Sequence, residues 1–143
     1  MNQINSITYA LSDISDVCSK LYKEYNSIRI WCFDGEIASG KTTFITNMCK
    51  MLKVKDYCSS PTYNIVNSYT TESNELIYHI DCYRFIDNFD DINFDFDFYL
   101  DNGKFIMIEW ANIIEKNIPN PYLKINMLKH DNNHRIMNYY IVA

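Results

Sequence analysis

The sequence predicts an α/β fold, a three-layer sandwich whose mixed, mostly parallel central sheet is flanked by helices. Three observations predict it. The chain has only three glycines, and two of them lie in Gly35-Glu36-Ile37-Ala38-Ser39-Gly40-Lys41-Thr42, which has the form G-x-x-x-x-G-K-T. The flanks of that run read as strand and helix: Ile28-Arg29-Ile30-Trp31-Cys32-Phe33 is short and mostly apolar, and Phe44, Ile45, Met48, Cys49, Met51 and Leu52 recur at helical spacing. Phe105-Ile106-Met107-Ile108 is a continuous apolar run ending at Glu109, the pattern of a strand buried on both faces. A glycine-rich turn between strand and helix is a phosphate cradle. Glycine lets backbone N–H groups turn inward, the lysine reaches the β and γ phosphates, and the threonine hydroxyl holds Mg2+. The helix N-terminus then points at the bound anion. The predicted fold is therefore P-loop NTPase-like.

The other elements follow in chain order. Ser12 is the expected N-cap of a first helix, with Asp13 and Asp16 in its first turn and Lys20 and Lys23 later, the order that suits the helix dipole. Ile14, Val17, Cys18, Leu21 and Tyr25 form one apolar stripe, so that helix runs from Asp13 to about Tyr25. After the P-loop helix, Ser59-Ser60-Pro61-Thr62 is a loop signature. Tyr63 to Thr70 and Leu76 to Ile80 read as strands joined by the turn Glu72-Ser73-Asn74. Ala111 to Lys116 reads as a short helix stopped by Pro119 and Pro121. Tyr122 to Leu128 and Arg135 to Val142 read as strands around the turn Asp131-Asn132-Asn133. Phe85 to Asp101 stays open. Phe94, Phe96 and Phe98 alternate as in a strand, Phe85, Phe89 and Ile92 are spaced as in a helix, and six aspartates make an acidic face or a docking surface.

Length and composition set the bounds. The 143 residues are read as a single domain, residues 1–143, long enough to bury a core without disulfides or a structural metal. At 48% apolar residues, disorder is excluded. No apolar run reaches spanning length, and Met1 to Tyr9 lacks the marks of a signal or transit peptide, so a cytoplasmic location without membrane contact is expected. Cys18, Cys32, Cys49, Cys58 and Cys82 are odd in number and widely spaced, which predicts buried free thiols rather than disulfides or a zinc site. The net charge of −5 and the scattered Arg29, Arg84 and Arg135 exclude a basic RNA-gripping patch. Any link to RNA runs through a partner.

A P-loop needs carboxylates to orient Mg2+ or the attacking water, and in parallel sheets such groups gather at the C-terminal tips of strands. Asp81, after Leu76-Ile77-Tyr78-His79-Ile80, and Glu109 meet that requirement. The candidate catalytic residues are Lys41, Asp81 and Glu109. The candidate nucleotide-binding run is Gly35, Glu36, Ile37, Ala38, Ser39, Gly40, Lys41, Thr42 and Thr43.

Four blocks in series resemble one family. They are the P-loop Gly35 to Thr42, Ser60-Pro61-Thr62-Tyr63, His79-Ile80-Asp81-Cys82-Tyr83-Arg84, and Ile108-Glu109-Trp110. They are similar to the G-x-L-G-A-G-K-T, S-P-T-F/Y, H-x-D-x-Y-R and E-W patterns of TsaE (formerly YjeE), a small bacterial ATPase of tRNA threonylcarbamoyladenosine biosynthesis. The resemblance implies ATP binding with Mg2+ and slow hydrolysis. It implies work beside TsaB-like and TsaD-like proteins, with tRNA met only through that complex. By the same resemblance Lys41 neutralises the phosphates, Thr42 ligates Mg2+ and Thr62 lies in a switch-like loop near the metal. The resemblance makes Asp81 a Mg2+-side carboxylate and Glu109 the group that orients water or supports the metal, roles the two acids can exchange, and Trp110 shapes the nucleotide or partner side. Ala38 and Ser39 stand where the family pattern has glycine and alanine; if position 38 needs positive φ, Ala38 is strained.

Among other readings, His79 on its strand is a core histidine, Tyr83 a packing residue, Arg84 a surface ion-pair residue, and His130 and His134 exposed residues about a turn. A P-loop small-molecule (nucleoside-type) kinase is the alternative enzyme, but three scattered arginines leave little for a phosphate-clamping lid. A GTPase switch lacks N-K-x-D and D-x-x-G. A calcium loop at Asp91-Ile92-Asn93-Phe94-Asp95 lacks its glycine, replaced by Phe96, and its final glutamate, replaced by Asn102. A regulatory protein that holds nucleotide only to control assembly lies close to the favoured reading.

Overall fold

The structure is a computed structural model that describes residues 3–55, 65–85 and 95–143. Its described strands form one seven-stranded mixed sheet in the order β1-β7-β6-β2-β5-β4-β3. They are β1 (Asn5–Ala10), β2 (Ile30–Asp34), β3 (Val66–Thr70), β4 (Leu76–Asp81), β5 (Phe105–Glu109), β6 (Tyr122–Lys129) and β7 (His134–Val142). The four central strands β6, β2, β5 and β4 run parallel, and β1, β7 and β3 add antiparallel edges. This is the expected α/β sandwich. Its parallel centre needs cover on both faces.

Helices α1 (Ile14–Tyr25) and α2 (Lys41–Met51) cover one face. The α1 stripe Ile14, Val17, Cys18 and Leu21 is buried as its spacing predicts, against Trp31, Phe33 and Leu123. Ser12 does not cap α1. A 3-10 turn over Leu11–Asp13 precedes the helix, so Asp13 takes the cap position, with no side-chain cap bond. The opposite face, over β2, β5 and β4, is covered by a 3-10 segment, Ala111–Asn117, and by α3 (Phe96–Asn102). The segment predicted as a short helix winds instead as 3-10 turns with a break at Ile114.

Part of the open stretch is settled as α3. The Asp95 carboxylate accepts a hydrogen bond from Phe98 N at 3.2 Å, an N-cap that wins over the alternating phenylalanines. Phe96 turns inward and Phe98 stays exposed, and Arg29 Nη1 ties the end of α3 down through the carbonyls of Leu100 and Gly103, both at 2.6 Å. The remainder, residues 86–94, lies outside the described residues, as do Cys58 and the Ser60-Pro61-Thr62 loop. Cys18, Cys32, Cys49 and Cys82 are buried free thiols. Among the described residues no helix is long and apolar enough to cross a membrane.

Glu115 fastens the 3-10 segment to β6: its Oε1 accepts from Lys124 Nζ at 2.6 Å and from Tyr122 Oη at 3.1 Å. The Lys124 bond, more than the Tyr122 bond, holds the Glu115 carboxyl below its ordinary value against the opposing effect of burial. A depressed folded-state pKa means the stabilisation is whole above the unfolded-state value near 4.5 and is lost as pH falls through the folded-state one. Both side chains are partly solvated, so Glu115→Gln is expected to cost about 0.5–1 kcal/mol at pH 7. In urea denaturation the gap to wild type should close below pH 4; a gap unchanged at pH 3 would rule the ion pair out as its source.

Candidate nucleotide site at the strand tips

The loop after β2 bends in the way its glycines predict. Gly35 (φ 148°) and Gly40 (φ 104°) occupy conformations that side-chain-bearing residues rarely adopt. A Cβ at Gly35 would overlap the Met127 carbonyl oxygen and stand 2.8 Å from Ser39 Oγ, so the loop rests directly on the end of β6. The Glu36 carbonyl accepts from Ser39 N at 3.1 Å and from Lys41 Nζ at 2.9 Å. Lys41 Nζ also donates to the Gly35 carbonyl and lies 3.3 Å from Ser39 Oγ. Gly35, Glu36 and Ser39 thus build the turn from behind and are not among the cleft walls.

Ala38 has φ 66°, so the strain expected from alanine in the glycine position is present. The two positions have opposite signs as targets. Ala38→Gly should stabilise by about 1 kcal/mol, and Gly35→Ala should destabilise by about 3 kcal/mol, both read from thermal or urea melts. A neutral Gly35→Ala would contradict the tight seat on Met127.

The loop feeds α2 through Gly40, its N-cap residue, with no side-chain cap and no acid in the first turn. A helix begun this way leaves its N-terminal amides to be satisfied from outside. In front of them lies a cleft of about 420 Å³ lined by Ile37, Ala38, Gly40, Lys41, Thr42, Thr43, Asp81, Tyr83, Glu109, Trp110 and Arg135.

Strand register places the acids. Asp81 and Glu109 are Cα partners at the tips of β4 and β5, and Glu109 is also the partner of Phe33, beside the loop. Parallel register partners point to the same face. Glu109 is only 3% exposed. Its Oε1 accepts from Thr42 Oγ1 at 3.0 Å, and its Oε2 accepts from His79 Nε2 at 2.6 Å. Asp81 Oδ1 accepts from Tyr83 N at 3.0 Å, which turns the chain away from the strand tip.

Lys41 is 5% exposed. Burial lowers its pKa from the ordinary lysine value, opposed by the nearby charges of Glu109, Asp34 and Asp81. Its ammonium lies 4.4 Å from the Trp110 ring centre, a cation–π contact. Trp110 itself has φ 57°, and its ring meets that of Tyr83 at 5.0 Å. Positive φ at a bulky residue beside a cleft marks stored strain of about 1–3 kcal/mol.

The cleft therefore brings together Ile37, Ala38, Gly40, Lys41, Thr42, Thr43, Asp81, Glu109 and Trp110 from the sequence reading, while Thr62 lies outside the described residues. Sequence reasoning passed over three residues. His79 is a buried core histidine as expected, but it also fixes Glu109. Tyr83, read as packing, is a half-exposed wall of the cleft. Arg135 reaches the cleft from β7, a strand with no motif to announce it. His130 is an exposed turn residue as expected, whereas His134 opens β7 and is partly buried, with its Nδ1 2.9 Å from Asp131 Oδ1.

The donor set fits a magnesium-bound polyphosphate. An uncapped helix start, a buried ammonium and a guanidinium face two strand-tip carboxylates and a threonine hydroxyl. Among the described residues no three of His, Cys, Asp and Glu group as a complete metal site. A cation held here would need ligands from the anion as well, which is how Mg2+ is usually bound.

Comparison with known proteins places the chain in a family. The family model described as threonylcarbamoyl adenosine biosynthesis protein TsaE matches residues 8–137. The similar proteins named tRNA threonylcarbamoyladenosine biosynthesis protein TsaE include those of Aquifex aeolicus, Bacillus subtilis and Rickettsia felis. The Aquifex aeolicus protein is 40% identical over 81 residues, covering 55% of this chain and 55% of its own. That of Bacillus subtilis is 33% identical over 92 residues, covering 64% of this chain and 56% of its own. The Rickettsia felis protein is 34% identical over 109 residues, covering 72% and 60%. The chain thus spans 55–60% of the length of these relatives. The crystal structure of YdiB from Bacillus subtilis superposes with a TM-score of 0.76 over 100% of this chain and 88% of that one, at 19% identity, and so shows the shared fold. Because the matched span runs from within β1 to within β7 and takes in the loop and both acid-bearing strand tips, the chain belongs to the TsaE family.

Proposed function

We propose that the protein binds ATP with Mg2+ in the cleft before α2 and hydrolyses it slowly, in support of N6-threonylcarbamoyladenosine modification of tRNA. The observation that carries this reading is the Thr42–Glu109 hydrogen bond, which couples the phosphate loop to a buried strand-tip acid. Lys41 neutralises the phosphate chain from inside the loop, and the amides that open α2 add the helix dipole. Bound magnesium supplies positive charge where negative charge develops in phosphoryl transfer. Thr42 and Glu109 would hold it, since their side chains already meet and His79 keeps Glu109 from turning away. Asp81, one strand further from the loop, orients the attacking water. Trp110 and Tyr83 wall the cleft and shield Lys41 from solvent.

Such a slow ATPase works as a timer on an assembly, and the partner on this reading is a TsaB–TsaD-like complex. The test is co-purification with that complex in ATP and in ADP. Capture that depends on which nucleotide is present supports the reading. Equal capture in ATP, in ADP and without nucleotide refutes a nucleotide-timed role.

A further inference from the structure

We propose that Arg135 is a further ligand of the nucleotide, taking its phosphate chain from the β7 side of the cleft; the inference rests on the nucleotide reading above. Arg135 stands on the second residue of β7, more than ninety positions from the loop, yet it lines the same cleft as Gly40, Lys41, Thr42 and Thr43. Its approach to the loop is close. A Cβ at Gly40 would lie 3.4 Å from Arg135 Nε and 3.6 Å from its Cγ. Those are ordinary van der Waals distances, so the Arg135 side chain packs directly beside the residue that opens α2.

The guanidinium is held but not satisfied. Arg135 Nη1 donates to the carbonyls of Asp131 at 2.8 Å and His134 at 3.0 Å, which pins one edge of the fork to the β6–β7 turn. Nε is buried and finds no acceptor among the described residues. The neighbouring carboxylate is already engaged, since Asp131 Oδ1 accepts from Asn133 N at 2.8 Å and meets His134 Nδ1 at 2.9 Å. Among the described residues Arg135 makes no ion pair. A buried, charged donor without an acceptor is costly, and native proteins rarely leave one so. Here the cost is compounded, because the unpaired edge lies beside the positive end of α2, which carries no acid in its first turn. The start of α2 and the Arg135 guanidinium, both positive, line one cleft, and an anion bound in that cleft answers both. The guanidinium fork suits phosphate oxygens better than a lysine point charge does.

The test measures binding of Mg-ADP and of magnesium tripolyphosphate, a phosphate chain with no base or ribose, to wild type, Arg135→Gln and Arg135→Lys by calorimetry. Loss of a charge-assisted contact should weaken both ligands about tenfold or more in Arg135→Gln, with a smaller loss in Arg135→Lys. Unchanged affinity in Arg135→Gln overturns the inference and leaves the nucleotide reading standing. A loss for ADP but none for tripolyphosphate overturns it in favour of a base or ribose contact. Absence of binding by wild type refutes the nucleotide reading itself and this inference with it. Because Arg135 also pins the β6–β7 turn, the wild-type protein supplies a second readout. Its Arg135 Nε–H resonance, identified by through-space contact with Gly40, should shift on titration with either ligand. A resonance that stays still under saturating Mg-ADP rules the contact out.

Discussion

Lys41→Ala is expected to lower ATP affinity at least about a hundredfold, to the limit of detection, while the fold survives. The size follows from its place. Among the described residues the ammonium is the one lysine side chain on the cleft wall, and carbonyls of the loop itself hold it at the start of α2. The fold should survive because a desolvated ammonium adds little net stability. Burial lowers the Lys41 pKa, so the folded state carries a cost while the group is charged, and that cost disappears as pH rises through the depressed value toward the ordinary 10.5. Removing the side chain should therefore move the melting midpoint little. The same depression predicts that wild-type ATP affinity begins to fall at a pH below the ordinary lysine value, as the ammonium loses its proton. Thermal melts and calorimetric titration of the variant check both statements. Retained ATP binding in a folded Lys41→Ala protein would remove the loop from the site.

Glu109→Ala is expected to be the second large effect, and it acts on two quantities at once. Turnover should fall by about two orders of magnitude, because the carboxylate that Thr42 and His79 hold in place is gone. Stability should fall by about 2–3 kcal/mol, because truncation leaves the buried His79 ring without its acceptor. ATP binding should fall less than turnover, since Lys41 and the α2 amides still grip the phosphate chain. Asp81→Ala should show the same bias toward turnover with a smaller stability loss, as Asp81 is only partly buried. Single-turnover kinetics beside binding isotherms separate these effects. Equal and large losses of binding in both variants would make the acids structural, or holders of the metal alone.

Local chemistry explains which parts were legible in the sequence. The loop announced itself because a phosphate cradle needs Gly35 and Gly40 where no other residue fits, and those constraints leave a short-range signature. The strand carrying Glu109 was legible because a fully buried parallel strand is a run of apolar residues without alternation. The acids were legible from their position at such strand ends, and the register that pairs Asp81 with Glu109 then brought them together. By contrast, β1 was missed. Its inward positions Ile7 and Tyr9 alternate with Ser6 and Thr8 over one short edge strand, too few residues for a clear period. The Ser12 cap was misread because a 3-10 turn inserted itself before α1, a choice tied to the Leu11 N bond to the Asn133 carbonyl across the sheet. The helix α3 could not be separated from a strand because the deciding fact was a single cap bond from Asp95. Arg135 had no local signature at all, since only the antiparallel pairing of β7 with β6 carries it to the loop.

The most direct measurement is isothermal titration calorimetry of the full chain with ATP, in the presence and absence of Mg2+, run in parallel on Lys41→Ala. The structure predicts saturable binding at one site, tighter with Mg2+, and lost in Lys41→Ala. No uptake of ATP by the wild-type chain with Mg2+ present, or uptake that Lys41→Ala leaves intact, would contradict a magnesium–triphosphate seat between the Gly35 loop and the Asp81–Glu109 strand tips.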